Sequence, residues 1–168
     1  MRYWCFITRP TNWKVCKAQR VFGFEFGYAK TLERFMAKGD RAVVYLTEKS
    51  GFAAVLEILG AGRYDPGRAK KMAWDTFYPY IVGIVVEKEG FIRVESTVKK
   101  GKNGEALTIP TANRILDELE FITDSGAGSK GNPRWNLFLY PSLMRIPETD
   151  YRAIASRLDE APSLGLWR

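Results

Sequence analysis

The sequence predicts an α+β fold: a small, twisted β-barrel of five to six strands, with helices inserted between the strands and at the barrel ends. Three observations predict it. Short runs rich in β-branched and aromatic residues recur at intervals of about 8–12 residues, the spacing of barrels and strongly bent sheets. Segments with helical periodicity interrupt these runs. The alternation lacks the regular strand–helix–strand rhythm of a doubly wound sheet. The 168 residues are enough for one domain with a well-buried core. The expectation is a single domain over residues 1–158 and a poorly ordered C-terminal tail over 159–168.

In chain order, Tyr3 to Ile7 is an apolar run that reads as the first strand. Thr11 or Asn12 opens a helix, since a short oxygen-bearing side chain satisfies a free amide there, and the helix runs about two turns to Arg20. Gly23 follows between Phe22 and Phe24, where a backbone without a side chain admits close approach. Thr31 to Lys38 reads as a short helix with Leu32, Phe35 and Met36 on one face. Arg41 to Thr47 and Phe52 to Leu59 read as a hairpin, and Gly60, Gly62, Pro66 and Gly67 mark a loop. A basic segment from Arg68 reaches Trp74. Ile81 to Val86 and Phe91 to Glu95 read as a second hairpin, turning at Glu87 to Gly90. Val98 to Gly104 is a basic excursion. Pro110-Thr111 open a helix with Ala112, Ile115, Leu116 and Leu119 on one face. Ser125 to Pro133 is a loop and Trp135 to Leu139 a last short strand. Pro147 precedes a final helix carrying Tyr151, Ile154, Ala155 and Leu158 on one side.

Net charge is +7 with 26 Lys and Arg against 19 Asp and Glu, the footprint of a polyanion partner. Aromatic content is 14%, and aromatics both pack in cores and stack on bases. There is no His, so neither a Ser-His-Asp nor a Cys-His arrangement exists. Cys5 and Cys16 are not spaced for metal and read as buried free thiols, which points to a reduced, cytoplasmic compartment. The N-terminus is no signal peptide, and the longest apolar run, Tyr80 to Val86, is too short to span a bilayer. The expectation is therefore no metal, no cofactor and no membrane.

Asn12 and Phe22 stand at the two ends of the first helix. One supplies a donor and an acceptor, the other a flat apolar face, the minimum for gripping a planar, hydrogen-bonding ligand such as a nucleobase. The same residues also read as a helix cap followed by two core phenylalanines. Gly126 to Gly131 matches the dinucleotide pattern G-x-G-x-x-G, but no helix start follows it, so a basic loop is the better reading. Asp117, Glu118 and Glu120 lie on the polar side of an amphipathic helix and read as a solvated face. Trp13, Phe22, Phe24, Trp74, Tyr78, Tyr80 and Trp135 gather near loop and strand boundaries, where side chains serve either as core or as ligand walls.

Tyr3-Trp4-Cys5-Phe6-Ile7-Thr8, then Asn12-Trp13-Lys14-Val15, then Val21-Phe22-Gly23-Phe24 resemble the EVE domain family. The match continues through Val44-Tyr45, Gly51 to Val55, Tyr64-Asp65 and Tyr78-Pro79-Tyr80, to Met144 through Tyr151. The resemblance implies a PUA-like barrel related to YTH domains, which read N6-methyladenine in RNA. It implies a pocket for one flipped, usually modified base. Phe22 stands where the family usually has Trp, as one wall, with Gly23 and Phe24 after it. Asn12 precedes Phe22 by the spacing of a base-reading Asn in the YTH relatives. Thr8 falls near a second polar position, and Trp74, Tyr78 and Tyr80 are candidates for the second wall. Arg9, Lys70, Lys71, Lys99, Lys100 and Arg134 would hold flanking phosphates.

The expected function is a non-catalytic module that recognises a modified base in DNA or RNA, with room for a separate effector protein. Two alternatives are a small hydrolase or nuclease on the same barrel, and a small-molecule or protein-interaction module whose basic surface is incidental.

Overall fold

A computed structural model describes residues 1–94, 98–100, 102–103, 106–108, 115–123 and 142–160. Strand β1 (Tyr3–Thr8) is apolar along nearly its whole length because both of its faces are covered. Trp4 and Phe6 enter one core, Cys5 and Ile7 another. Helix α1 (Pro10–Gln19) follows, with proline in its first turn, where no amide is lost, and Arg20 closes it in the left-handed region at φ 53°. Next come β2 (Val21–Phe24), a 3₁₀ turn (Phe26–Tyr28) and α2 (Ala29–Arg34). This crossover lets β3 (Arg41–Leu46) lie parallel to β1, with Tyr3 opposite Arg41 and Thr8 opposite Leu46.

The hairpin partner of β3 is β4 (Gly51–Ile58). Short β5 (Arg63–Tyr64) and α3 (Pro66–Ala69) lead to β6 (Tyr80–Arg93). The pair β7 (Val98–Lys100) and β8 (Ala106–Thr108) forms a separate ribbon. Helices α4 (Ile115–Glu118) and α5 (Glu120–Thr123) precede β9 (Leu143–Ile146) and α6 (Glu148–Glu160). Strand order is β2-β6-β4-β3-β1-β9, with β5 also on β6. The mixed sheet curls into a half-barrel.

The concave face carries Phe6, Phe22, Phe24, Leu32, Val44, Leu56 and Ile84. The other face is covered by the later helices, through Ile115, Leu119, Ile122, Ile154 and Leu158. The buried Asp150 carboxylate accepts the Glu120 and Phe121 amides at 2.9 and 2.8 Å, tying α6 to α5. Between the sheet's end strands, β2 and β9, lies a seam. The Tyr28 phenol oxygen crosses it to accept the Ser142 amide at 2.9 Å.

Several expectations change. The second hairpin is one bent strand, β6, with no turn at Glu87 to Gly90. Its charged stretch is satisfied from three sides: Glu87 pairs with Arg41, Lys88 with Asp159 at 2.5 Å, and Glu89 with Lys17. Two register shifts against β4 supply the bend. Neither Thr11 nor Asn12 caps α1, which starts one residue earlier, at Pro10, behind Arg9. Val21–Phe24 is a strand, since it pairs with Tyr80–Gly83. On α2 and its exit, Leu32 and Met36 are buried but Phe35 is 46% exposed. Helix α6 extends through Glu160. The expected strand at 135–139 and the glycine pattern at 126–131 lie outside the described residues.

Candidate functional site

Where β1 ends and α1 begins, a hollow of about 300 Å³ opens, lined by Ile7, Thr8, Arg9, Asn12, Thr47, Tyr78 and Ser142. Backbone pairing brings these distant residues together. The Thr8 carbonyl accepts the Thr47 amide, and the Ser142 carbonyl accepts the Ile7 amide, both at 3.0 Å.

Asn12, in the first turn of α1, is 2% exposed. Its Nδ2 donates to Asp75 Oδ1 at 2.6 Å and to the Tyr78 hydroxyl at 3.3 Å, while its Oδ1 accepts the Asp75 amide at 3.0 Å. Arg9 donates to Asp75 Oδ2 at 2.9 Å and lies 3.8 Å from Glu48. The segment from Lys70 to Pro79, between α3 and β6, is thus a strap pinned at Asp75. It lies directly on β2. A Cβ at Gly23 would stand 2.7 Å from Trp74 Cη2 and 2.7 Å from Tyr78 Cβ, so only glycine permits this packing. The Trp74 and Tyr78 rings meet edge to face, centroids 5.5 Å apart.

Burial, with the nearby Asp75 and Glu25 carboxylates adding to it, pushes the Tyr78 phenol up to about 12. At neutral pH it stays protonated, a donor and acceptor beside an aromatic face. With the hydroxyl residues Thr8, Thr47 and Ser142 and the exposed Arg9, whose guanidinium is paired with Asp75 and lies near Glu48, the hollow offers hydrogen bonds of both senses. Burial raises the thiols of Cys5 and Cys16, the latter to about 12, which keeps them protonated and poorly nucleophilic. Among the described residues, no cluster of His, Cys, Asp and Glu could hold a metal ion.

Of the expected base-binding residues, Thr8, Asn12 and Tyr78 line the hollow, with Arg9 at its edge. Gly23 and Trp74 lie next to it through Tyr78. Phe22 and Phe24 do not line it. They are 2% and 0% exposed and pack on Phe6, ring centroids 4.8 and 5.0 Å away. The alternation of β2 sends them into the concave core and turns Gly23 to the strap. Tyr80 belongs to a different group, with Phe26 and Tyr64 at 5.9 and 5.5 Å. Lys70 and Lys71 are exposed at the start of the strap. Lys99 and Lys100 sit on β7, and Arg134 lies outside the described residues. Asn12 keeps its place but not the expected freedom, since its amide is engaged with the strap.

Sequence reasoning missed Asp75, Thr47 and Ser142. Asp75, directly after Trp74, carries the only acidic charge in the strap, a local signal that was available. Thr47 and Ser142 reach the site through pairing with β1, which no local pattern announces.

The profile of the EVE domain matches residues 2–157. No curated protein matches the sequence. The chain is similar in fold to the YTH domain of Zygosaccharomyces rouxii MRB1 protein, solved in complex with N6-methyladenosine RNA. Identity is 11%, coverage 97% of this chain and 90% of that one, and the TM-score 0.56. It is similar to the Mmi1 YTH domain complexed with RNA, at 10% identity, 95% and 78% coverage and a TM-score of 0.58. It is also similar to a hypothetical protein from Leishmania major, at 17% identity, 95% and 96% coverage and a TM-score of 0.51.

Proposed function

The chain belongs to the EVE domain family, and we propose that it is a non-catalytic module that binds DNA or RNA and reads one base, swung out of its strand, in the hollow at the end of β1. The observation that carries this reading is the hollow itself. At about 300 Å³ it stands at the small end of ligand pockets, room for a single heterocycle, and it joins an aromatic face to hydroxyl groups. Two YTH domains of similar fold are solved with RNA, one of them N6-methyladenosine RNA, which supports a modified base as the ligand.

The energetics are consistent. Unstacking a base costs a few kcal/mol. Stacking returns roughly 1–3 kcal/mol, and a buried methyl about 0.8 kcal/mol more. Tyr78 supplies the ring. Thr8, Thr47 and Ser142 meet the edge. Asn12 holds the strap that carries Tyr78, and Phe22 and Phe24 stiffen β2 behind Gly23. Arg9, Lys70 and Lys71 take flanking phosphates, with Lys99, Lys100 and Arg134 as further cations. Buried thiols suit a reduced compartment such as the cytoplasm, and a separate effector protein would give the reading its consequence.

The test is a binding screen of methylated and unmethylated DNA and RNA oligonucleotides at fixed salt. Tyr78→Ala is expected to weaken binding by about five-fold or more, and Arg9→Ala to lower the salt slope by about one. A wild type that binds no oligonucleotide at low salt would refute the proposal. Turnover of RNA or nucleosides would replace the reader with a hydrolase.

A further inference from the structure

A second hollow, of about 520 Å³, lies in the seam between α2 and β9. Trp4, Tyr28, Phe35 and Met144 make its walls apolar and largely aromatic, and Arg2 and Arg145 border it. Phe35 is 46% exposed, so its ring face is open to a ligand in the hollow. Arg2 is oriented by donating its guanidinium to the Phe35 carbonyl. Arg145, opposite Trp4 across β1 and β9, is exposed, and its side chain makes no hydrogen bond or ion pair among the described residues. The acidic group nearby, Asp40, is spent internally. Its carboxylate accepts the Arg2 amide, the Trp4 indole N–H and the Ala37 amide at 2.8, 3.1 and 3.1 Å. The hollow therefore presents an exposed Phe35 ring and the exposed Arg145 guanidinium side by side, a combination that suits a planar ring carrying an anion.

The two hollows are neighbours. Ser142 lines the first, and its amide is held by Tyr28 of the second. Along β1, Thr8 and Trp4 are separated by about 13 Å at the usual strand rise. An extended nucleic-acid strand spans that distance within a few nucleotides.

We propose that the seam hollow is a second nucleotide subsite, stacking a base flanking the one that is read on Phe35 and Tyr28 and taking its phosphate at Arg145. This rests on the nucleic-acid reading of the first hollow. Phe35 and Arg145 are exposed, so their replacement leaves the fold intact, which a thermal melt verifies. Binding of a tetranucleotide is compared between wild type, Phe35→Ala and Arg145→Glu. Each variant is expected to lose about five-fold or more in affinity while keeping the wild-type preference between methylated and unmethylated central base. Wild-type affinity in both variants would overturn the second subsite and leave the first standing. A wild type that binds no tetranucleotide would overturn both.

Discussion

Gly23→Ala puts the strap under direct load. The new methyl would lie 2.7 Å from Trp74 Cη2, 2.9 Å from Trp74 Cζ3 and 2.7 Å from Tyr78 Cβ. Carbon atoms rest at about 3.5–4.0 Å, so the strap must withdraw by roughly 1 Å. Neither contact yields cheaply. The indole is rigid, and Tyr78 Cβ moves only with its backbone. Overpacking of this kind costs about 1–3 kcal/mol, and for a chain of this size each kcal/mol lowers Tm by about 2–4 °C. The withdrawal also stretches the Asn12–Asp75 bonds, 2.6 and 3.0 Å in the native fold, beyond useful length. Tyr78 then leaves its place in the hollow, and oligonucleotide affinity should fall by about five-fold or more. Thermal melting followed by indole fluorescence, beside fluorescence-polarisation binding, reads both effects. An alanine variant with unchanged Tm and unchanged affinity would refute the packing of the strap on β2.

Phe22→Ala should destabilise the protein by about 3–5 kcal/mol in urea denaturation, the usual cost of emptying a buried phenylalanine site, while Phe22→Leu should cost less than about 1.5 kcal/mol and bind normally. A Phe22→Ala protein of native stability that no longer binds would instead return this ring to the pocket wall. Cys16 titrates near 12 in the fold against an ordinary value of 9.0, because burial disfavours the thiolate. The folded form therefore holds its proton longer than the unfolded one. The stability this contributes is complete below pH 9 and is lost as pH rises toward 12, which denaturant midpoints across that range would show. At pH 8 a thiol reagent should modify neither cysteine until the protein unfolds.

Much of the frame was legible locally. The first strand, the first helix, the hairpin of β3 and β4 and the last helix all follow from periodicity and breakers, since each buries its apolar side chains in the ordinary way. The order of short aromatic and polar motifs pointed to the family. The basic balance pointed to a polyanion. What sequence could not show was which face of each strand met which core. Phe22 and Gly23 are adjacent, and a strand sends them to opposite sides, so everything turns on which side is the barrel interior. That is decided by how the sheet curls. The charged run in β6 looked like a turn because its partners, Arg41, Lys17 and Asp159, come from three separate elements. Asn12 looked like a helix cap because Asp75, far along the chain, was invisible to any local rule. Composition and spacing thus determined the class of fold and, through the basic balance, pointed toward a polyanion. Tertiary structure alone decided where the candidate hollows lie, because both are spaces between elements rather than properties of any one of them.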